Sequence, residues 1–224
     1  MKTIGKKFLS FFAIALIAAF TLTSCEEDDD PKPEQMAKDN IVTLAQATPS
    51  LSTLADALAM YPDIVSALSA DGSFTVFAPT NDAFEALLGV VGQENLSDIP
   101  ESVIERILKY HVISGASLMS TDLSDGQEAS TFLGADDKIT VGFSGNSVSI
   151  NNATVTTANI EASNGIIHIV DAVLVPEQEM SIVNTIVEPA YFNKDFSVLT
   201  AAVVKAELLG TLIDKQANFT LFAP

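Results

Sequence analysis

A six-residue segment that occurs twice constrains the architecture of this chain more than any other feature. Residues 74–79 read Phe-Thr-Val-Phe-Ala-Pro, and residues 219–224 read Phe-Thr-Leu-Phe-Ala-Pro. The apolar pattern of residues 51–58 returns at residues 196–203 with the same offset. A spacing of about 145 residues is far longer than the units of solenoid proteins, and it predicts tandem domains.

The second copy matches only the early part of the first one. We expect residues 40–177 to form one complete domain and residues 178–224 to be the truncated start of a second domain. That start would supply helices and a single strand, without the sheet that its apolar residues should cover. Because short helices without a packing partner are marginal in water, we expect residues 178–224 to be docked loosely or not at all.

The hydrophobic period changes along the first copy. Leu51 and Leu54 keep the spacing of a helix, whereas Ile139 and Val141 belong to an alternating stretch that is typical of a strand. Residues 166–175 are nearly all apolar, as in a strand that is buried on both faces. Helices in the first half and strands in the second half predict an α+β fold.

A turn signal precedes that apolar run. Asn164 and Gly165 form the dipeptide that most strongly indicates a two-residue hairpin turn. Further upstream, a helix that starts at Pro100 leads into residues 110–113. Its outward face carries Arg106, and also Glu105 and Lys109, which have the spacing of a favourable ion pair.

The first 24 residues have the pattern of a secretory signal peptide. Lysines within residues 2–7 precede an apolar run at residues 8–20, which is shorter than the roughly 20 residues needed to span a bilayer. Residues 22–25, Leu-Thr-Ser-Cys, resemble the lipobox of bacterial lipoproteins. The resemblance implies cleavage before Cys25 and a lipid anchor on it, while the alternative is an ordinary signal peptide with a chance cysteine.

Residues 25–39 are interpreted as an acidic flexible linker. Five adjacent acids occupy residues 26–30, and such a run is solvated rather than packed. It is either a spacer that holds the domain off the membrane or an address, since it resembles the acidic stretch that sends some Gram-negative lipoproteins to the outer face of the outer membrane. We therefore predict an outer membrane lipoprotein that is exposed at the surface of a bacterial envelope.

Charge and residue usage disfavour several classes of function. The chain has 29 acids against 11 bases, a net charge of −18, so a nucleic-acid partner is not expected. One cysteine and two histidines argue against a multi-ligand metal site. Neither a nucleophile elbow nor a phosphate-binding loop occurs, so we predict no enzyme, no catalytic residue, no metal and no cofactor.

Three ordered motifs resemble the fasciclin-like domain, called FAS1. They lie at residues 74–84, at Tyr110-His111 and at residues 164–176, and the resemblance covers residues 40–177. It implies a wedge-like β-sandwich decorated with helices, together with a role in adhesion or in contact with matrix protein or polysaccharide. It implies no general enzymatic chemistry. The signature residues in this chain are Phe74, Pro79, Thr80, Asn81, His168 and Asp171.

Candidate partner-binding residues come from the same resemblance. In animal members, receptor contact is linked to a short Asp-Ile-containing motif before the third signature, and the matching positions are Asn159 and Ile160, so the acid is replaced. Tyr110 and His111 end a helix, where a histidine cation would suit the helix dipole. His111 is therefore either a capping and packing residue or part of a partner-binding surface. His168 is interpreted as a buried, hydrogen-bonded imidazole, with a proton switch as the alternative.

Two functions remain open from the sequence. The first is a non-catalytic adhesion module at the cell surface that contacts a polysaccharide or a matrix protein. The alternative is a structural spacer of the bacterial envelope.

Overall fold

The computed structural model describes residues 38–223, except for residues 146, 184, 186 and 218. The signal peptide, Cys25 and the acidic run at residues 26–30 lie outside the described residues. None of the helices within the described ranges is long and apolar enough to cross a membrane.

Helices lead the chain and surround a single sheet. The first five are α1 (Ile41–Ala47), α2 (Ser52–Ala59), α3 (Pro62–Ser69), α4 (Asn81–Val91) and α5 (Glu101–Tyr110). The strands are β1 (Phe74–Pro79), β2 (Val112–Ser114), β3 (Glu128–Ser130), β4 (Lys138–Ser144), β5 (Ser147–Ile150), β6 (Ala153–Ala162) and β7 (Gly165–Val170). The predicted α+β class is confirmed.

Short polar residues set the ends of the helices. Asn40 is the N-cap of α1, and its Oδ1 accepts a hydrogen bond from the Thr43 amide at 2.9 Å. Pro62 occupies the first position of α3, where its missing N–H costs nothing. Gly92 ends α4 in the left-handed conformation at φ 67°.

The sheet of the described residues has seven strands in the order β2-β1-β7-β6-β5-β4-β3. The central pair, β1 and β7, is parallel, and each other neighbouring pair is antiparallel. All residues of β7 are buried, as the continuous apolar run predicts. The two signature segments at 74–79 and 165–170 therefore lie side by side at the centre of the molecule.

Alternating side chains of the central strands supply two separate cores. Val76 and Ile167 face the helices and join the larger core. Phe77 and Val170 face the opposite side and join a smaller core with residues of β4 and β5. The register of β6 against β7 shifts twice between Val155 and Ile160, and such bulges bend a strand. One bent sheet thus covers both cores.

The turn before β7 differs from the predicted one. Ala162 pairs with Gly165, so the two-residue loop is Ser163 and Asn164, and Gly165 already belongs to the strand. A Cβ on Gly165 would lie 2.2 Å from the carbonyl oxygen of Phe74. Gly165 is therefore required by the close approach of β1 rather than by a turn.

Residues beyond 177 pack more firmly than expected. They form α6 (Glu177–Ile182), α7 (Glu188–Tyr191), α8 (Ser197–Lys205) and α9 (Leu209–Leu212). Val187 and Phe192 are buried in the larger core, and the described residues from 38 to 223 belong to one compact unit. The expectation of a loosely docked segment is wrong for these residues, because they use the surface of the first domain. The assignment of residues 178–224 to a second domain stays a prediction.

The repeat is visible in helices but not in the strand. A 3₁₀ turn at Pro49–Leu51 leads into α2, and another at Lys194–Phe196 leads into α8 with the same offset. Residues 219–223, which match β1, have no regular secondary structure. A strand needs a hydrogen-bonded neighbour, and a copied sequence does not supply one by itself.

Candidate partner-binding surface

Two signature residues hold helices together. The Thr80 hydroxyl accepts from the Ala83 amide at 3.3 Å and caps α4. The Oδ1 of Asn81 accepts from the Thr53 amide at 3.0 Å, and its Nδ2 donates to the Pro49 carbonyl at 3.1 Å. These bonds fix the start of α4 to the start of α2, so both side chains serve the fold.

Three further signature residues lie at the ends of the central strands. Phe74 and Pro79 are the first and last residues of β1 that pair with β7. The Oδ1 of Asp171, just after β7, accepts from the Thr154 amide at 2.6 Å. Asp171 therefore fastens β6 to the end of β7.

Tyr110 and His111 are buried, so they offer little surface for contact with a partner. They are 3% and 2% exposed. The Tyr110 hydroxyl donates to the Lys138 carbonyl at 2.6 Å and accepts from Asn151 Nδ2 at 3.0 Å. These bonds make Tyr110 a tie between α5 and the strands.

His111 is a neutral buried connector rather than a helix-end cation. Its Nδ1 donates to the Ile107 carbonyl at 2.7 Å, and its Nε2 accepts from the Leu174 amide at 2.8 Å. Burial lowers the pKa of His111 to about 4, against a weaker opposing effect of the Ile107 carbonyl. The imidazole joins the last turn of α5 to the segment after β7.

His168 lies on the side of the sheet that faces the smaller core. Its ring stacks on Phe77 of the neighbouring strand, with ring centroids 5.6 Å apart. Its Nε2 donates to the Leu118 carbonyl at 2.9 Å, and its Nδ1 accepts from the Asn159 amide at 3.4 Å. Burial lowers the pKa of His168 as well. His168 thus holds the loop at 118–120 and the bulge of β6 in fixed positions.

Asn159, at the bulge of β6, has an uncommon backbone conformation. It is exposed and adopts a left-handed backbone at φ 62°, which few residues other than glycine and asparagine tolerate. Its Oδ1 accepts from the Ser120 amide at 2.7 Å, and its Nδ2 donates to Ser120 Oγ at 2.8 Å. Asn159 and Ser120 therefore brace each other in front of the buried His168.

The structure separates the roles of Asn159 and Ile160. Ile160 is half-buried against the larger core and anchors the strand, while Asn159 faces solvent. Residues 157–159 are exposed, and Met119 beside them is 37% exposed. We call Met119, Ser120 and residues 157–159 the bulge surface. It offers a thioether, hydroxyl groups and an amide, which are suited to contact rather than to acid-base chemistry.

Two features of the folded chain could not be predicted from the sequence. Ser120 carried no signal, because its partner is distant in the chain. Arg106 was placed on the outward face of α5, yet its Nε donates to Glu179 Oε1 at 2.6 Å, and Glu179 is fully buried. The expected pair of Glu105 and Lys109 is confirmed at 2.6 Å. In the described ranges, no group of His, Cys, Asp and Glu is arranged to hold a metal ion.

The two histidines should be neutral opposite tautomers that resist protonation. A carbonyl only accepts and an amide N–H only donates, so His111 carries its proton on Nδ1 and His168 on Nε2. The unfolded chain protonates His111 near its ordinary pKa of 6.5, and the folded chain does so near 4. The contribution of His111 to the free energy of unfolding is therefore full above about pH 6.5 and is lost as the pH falls from 6.5 to about 4.

Long-range ¹H–¹⁵N spectra check this directly, since the chain has two histidines. In urea both rings should titrate near pH 6.5. A ring that titrates at that pH in the folded protein, or two rings of the same tautomer, would contradict the assigned bonds.

A family model and several known proteins match this chain. The Fasciclin domain model matches residues 49–176, more than half of the chain. Protein sll1483 of Synechocystis sp. is 40% identical over 136 residues, which cover 61% of this chain and 73% of that protein. Cell surface glycolipoprotein MPB83 of Mycobacterium bovis is 36% identical over 145 residues, 63% of this chain and 62% of the relative. Human periostin is 31% identical over 173 residues, 75% of this chain and 19% of periostin. The chain therefore spans less than two thirds of the last two proteins.

Proposed function

This chain belongs to the Fasciclin domain family, and from that premise we propose that it is a non-catalytic adhesion module that contacts a polysaccharide or a matrix protein. The family is known for cell adhesion and cell surface proteins, and it indicates no catalytic chemistry. Because family membership does not name a ligand, the contact surface has to be argued from the site.

The bulge surface supports the proposal best, through the bracing of Asn159. Asparagine tolerates the left-handed backbone at this exposed bulge, where most other residues would be strained. The two hydrogen bonds to Ser120 and the bond to His168 keep the bulge rigid. A rigid surface loses little conformational entropy when a partner binds. These properties suit a contact surface that is formed before its partner arrives.

A glycan and matrix-protein array probed with the chain lacking residues 1–25 tests the proposal. Asn159→Gly keeps the left-handed backbone but removes the side-chain amide. It should therefore weaken binding of any ligand found on the array by about fivefold or more, as for a contact worth about 1 kcal/mol. Asn151→Gly is the matched control, because Asn151 is also left-handed, at φ 51°, and lies away from the bulge surface. Equal loss in both variants would refute this surface. An array without any bound ligand would favour the spacer alternative.

We also propose that the module is held at the outer membrane, facing outward, by a lipid on Cys25. The name of the mycobacterial relative, a cell surface glycolipoprotein, supports a surface location, and several acyl chains on one residue would anchor stably. Cys25→Ser should move the protein from the membrane fraction to the soluble fraction. Wild-type protein that never incorporates labelled palmitate would rule out the anchor, and protease treatment of intact cells reports the orientation.

A further inference from the structure

A cleft between α5 and α8 combines positive charge with hydroxyl groups in a strongly acidic protein. One wall is the start of α5 with Arg106, the other is α8 with Lys205, and Gln178 and Tyr191 also line the cleft. The volume of about 430 Å³ falls within the range of small-ligand sites. The bulge surface contributes no residue to this cleft.

The two cations of the cleft are differently placed. Arg106 donates through Nε to buried Glu179 at 2.6 Å and through Nη2 to Gln178 Oε1 at 3.3 Å. A guanidinium has five N–H donors, and the Arg106 side chain stays 33% exposed, so donors remain for a ligand. Lys205 is exposed and, among the described residues, forms no ion pair. Arg106 and Glu179 offset each other, which leaves the cleft with a net positive charge from Lys205.

The remaining lining suits a sugar ring. Ser102, Ser197 and Thr200 bring hydroxyl groups to both walls, and Val204, which is 44% exposed, adds an apolar patch. Thr200 donates its own proton to the Ala190 carbonyl at 2.9 Å, which leaves its oxygen free to accept. Hydroxyl groups next to aliphatic carbon match the mixed edges and faces of a pyranose.

We propose that this cleft binds a carboxylated sugar, with the carboxylate between Arg106 and Lys205 and the ring against Val204. The inference takes from the proposed function only the idea of a glycan ligand, and it assigns that ligand a charge and a place apart from the bulge surface. The net charge of −18 repels anions at a distance, but at physiological salt that repulsion is screened beyond about 8 Å. Charge-assisted hydrogen bonds inside the cleft act at shorter range.

Calorimetry on the chain lacking residues 1–25 tests the inference with digalacturonate, the matched neutral disaccharide galabiose, and a tetra-aspartate peptide. Digalacturonate should bind, and the other two should bind at least about tenfold more weakly, as expected without the charge or without the ring. Lys205→Glu should weaken digalacturonate by about tenfold or more. Lys215→Glu makes the same charge change at an exposed position outside the cleft, and it should change the affinity by less than about twofold.

A second variant probes Arg106 without leaving a buried charge. Arg106→Gln together with Glu179→Gln keeps a neutral hydrogen-bonded pair and should also abolish the preference for digalacturonate over galabiose. Equal effects of Lys205→Glu and Lys215→Glu, tighter binding of the peptide, or no binding of digalacturonate would overturn the inference. A different result refutes the proposed adhesion function: either the array shows no bound ligand, or Asn159→Gly leaves the affinity for the bound ligand unchanged.

Discussion

Gly165→Ala should lower the free energy of unfolding by about 3–5 kcal/mol, the range of the most damaging single substitutions. The added Cβ would lie 2.2 Å from the Phe74 carbonyl oxygen and 2.9 Å from Ile41 Cδ1. The oxygen belongs to the backbone of the neighbouring central strand and cannot rotate away. The clash therefore has to separate β1 from β7 or displace α1, and both changes open the larger core.

Gly89→Ala is the matched control for this prediction. Gly89 lies inside α4, and a Cβ there would meet nothing within 4 Å. Alanine is the better helix former, so this variant should be stabilised by about 0.5–1 kcal/mol. Urea denaturation of both variants gives the comparison. A Gly165→Ala midpoint equal to that of the wild type would mean that β1 and β7 are not as close as described.

Arg106→Gln should cost about 3 kcal/mol and loosen the residues after 177. Glu179 is fully buried, its Oε1 accepts from Arg106 and from the Tyr191 hydroxyl at 3.4 Å, and its Oε2 has no hydrogen-bond partner among the described residues. Removing the cation leaves a buried carboxylate uncompensated, which typically costs about 3–5 kcal/mol. The partial exposure of Arg106 places the expected cost at the lower end.

Two companion variants make this result specific. Glu179→Gln added to Arg106→Gln should recover most of the loss, because no buried charge remains. Lys109→Gln removes the partly exposed pair with Glu105 in the same helix and should cost less than about 0.5 kcal/mol, because neither partner is fully buried. Limited proteolysis should show earlier cleavage between residues 177 and 192 in Arg106→Gln alone. Equal costs for Arg106→Gln and Lys109→Gln would show that Glu179 is not buried.

Local patterns predicted the elements whose stability is local. The helical spacing of α2 and α5, the apolar run of β7 and the three ordered motifs led to the right fold class and family, because each depends on residues close together in the chain. The turn at Asn164 was misplaced for a tertiary reason. Its Oδ1 accepts from the Ile41 amide at 3.1 Å and its Nδ2 donates to the Leu68 carbonyl at 2.6 Å, so it joins α1 to α3.

The candidate site was predictable only in part. Asn159 and Ile160 were singled out by position, but the left-handed bulge depends on Ser120 and His168, which are distant in sequence. The burial of Tyr110 and His111 depends on strands that arrive after them in the chain. Arg106 looked like a solvent-facing residue of α5, since nothing within its own helix reveals Glu179. Sequence periodicity describes one element at a time, whereas these sites form where elements meet.

The parallel pairing of β1 with β7 also sets the order in which the protein can fold. β2 follows β1 after α4 and α5 and can pair with it first, whereas β7 is the last strand of the sheet in the chain. Pairing between such distant segments is slow, because the entropy cost of closing the connecting chain comes before any stabilising contact forms. During synthesis, which begins at the N-terminus, the apolar faces that α1–α5 turn towards β7 therefore stay uncovered until residue 170 has been made. During that interval the chain should depend on holding chaperones, and its refolding after dilution from urea should be slow and sensitive to protein concentration.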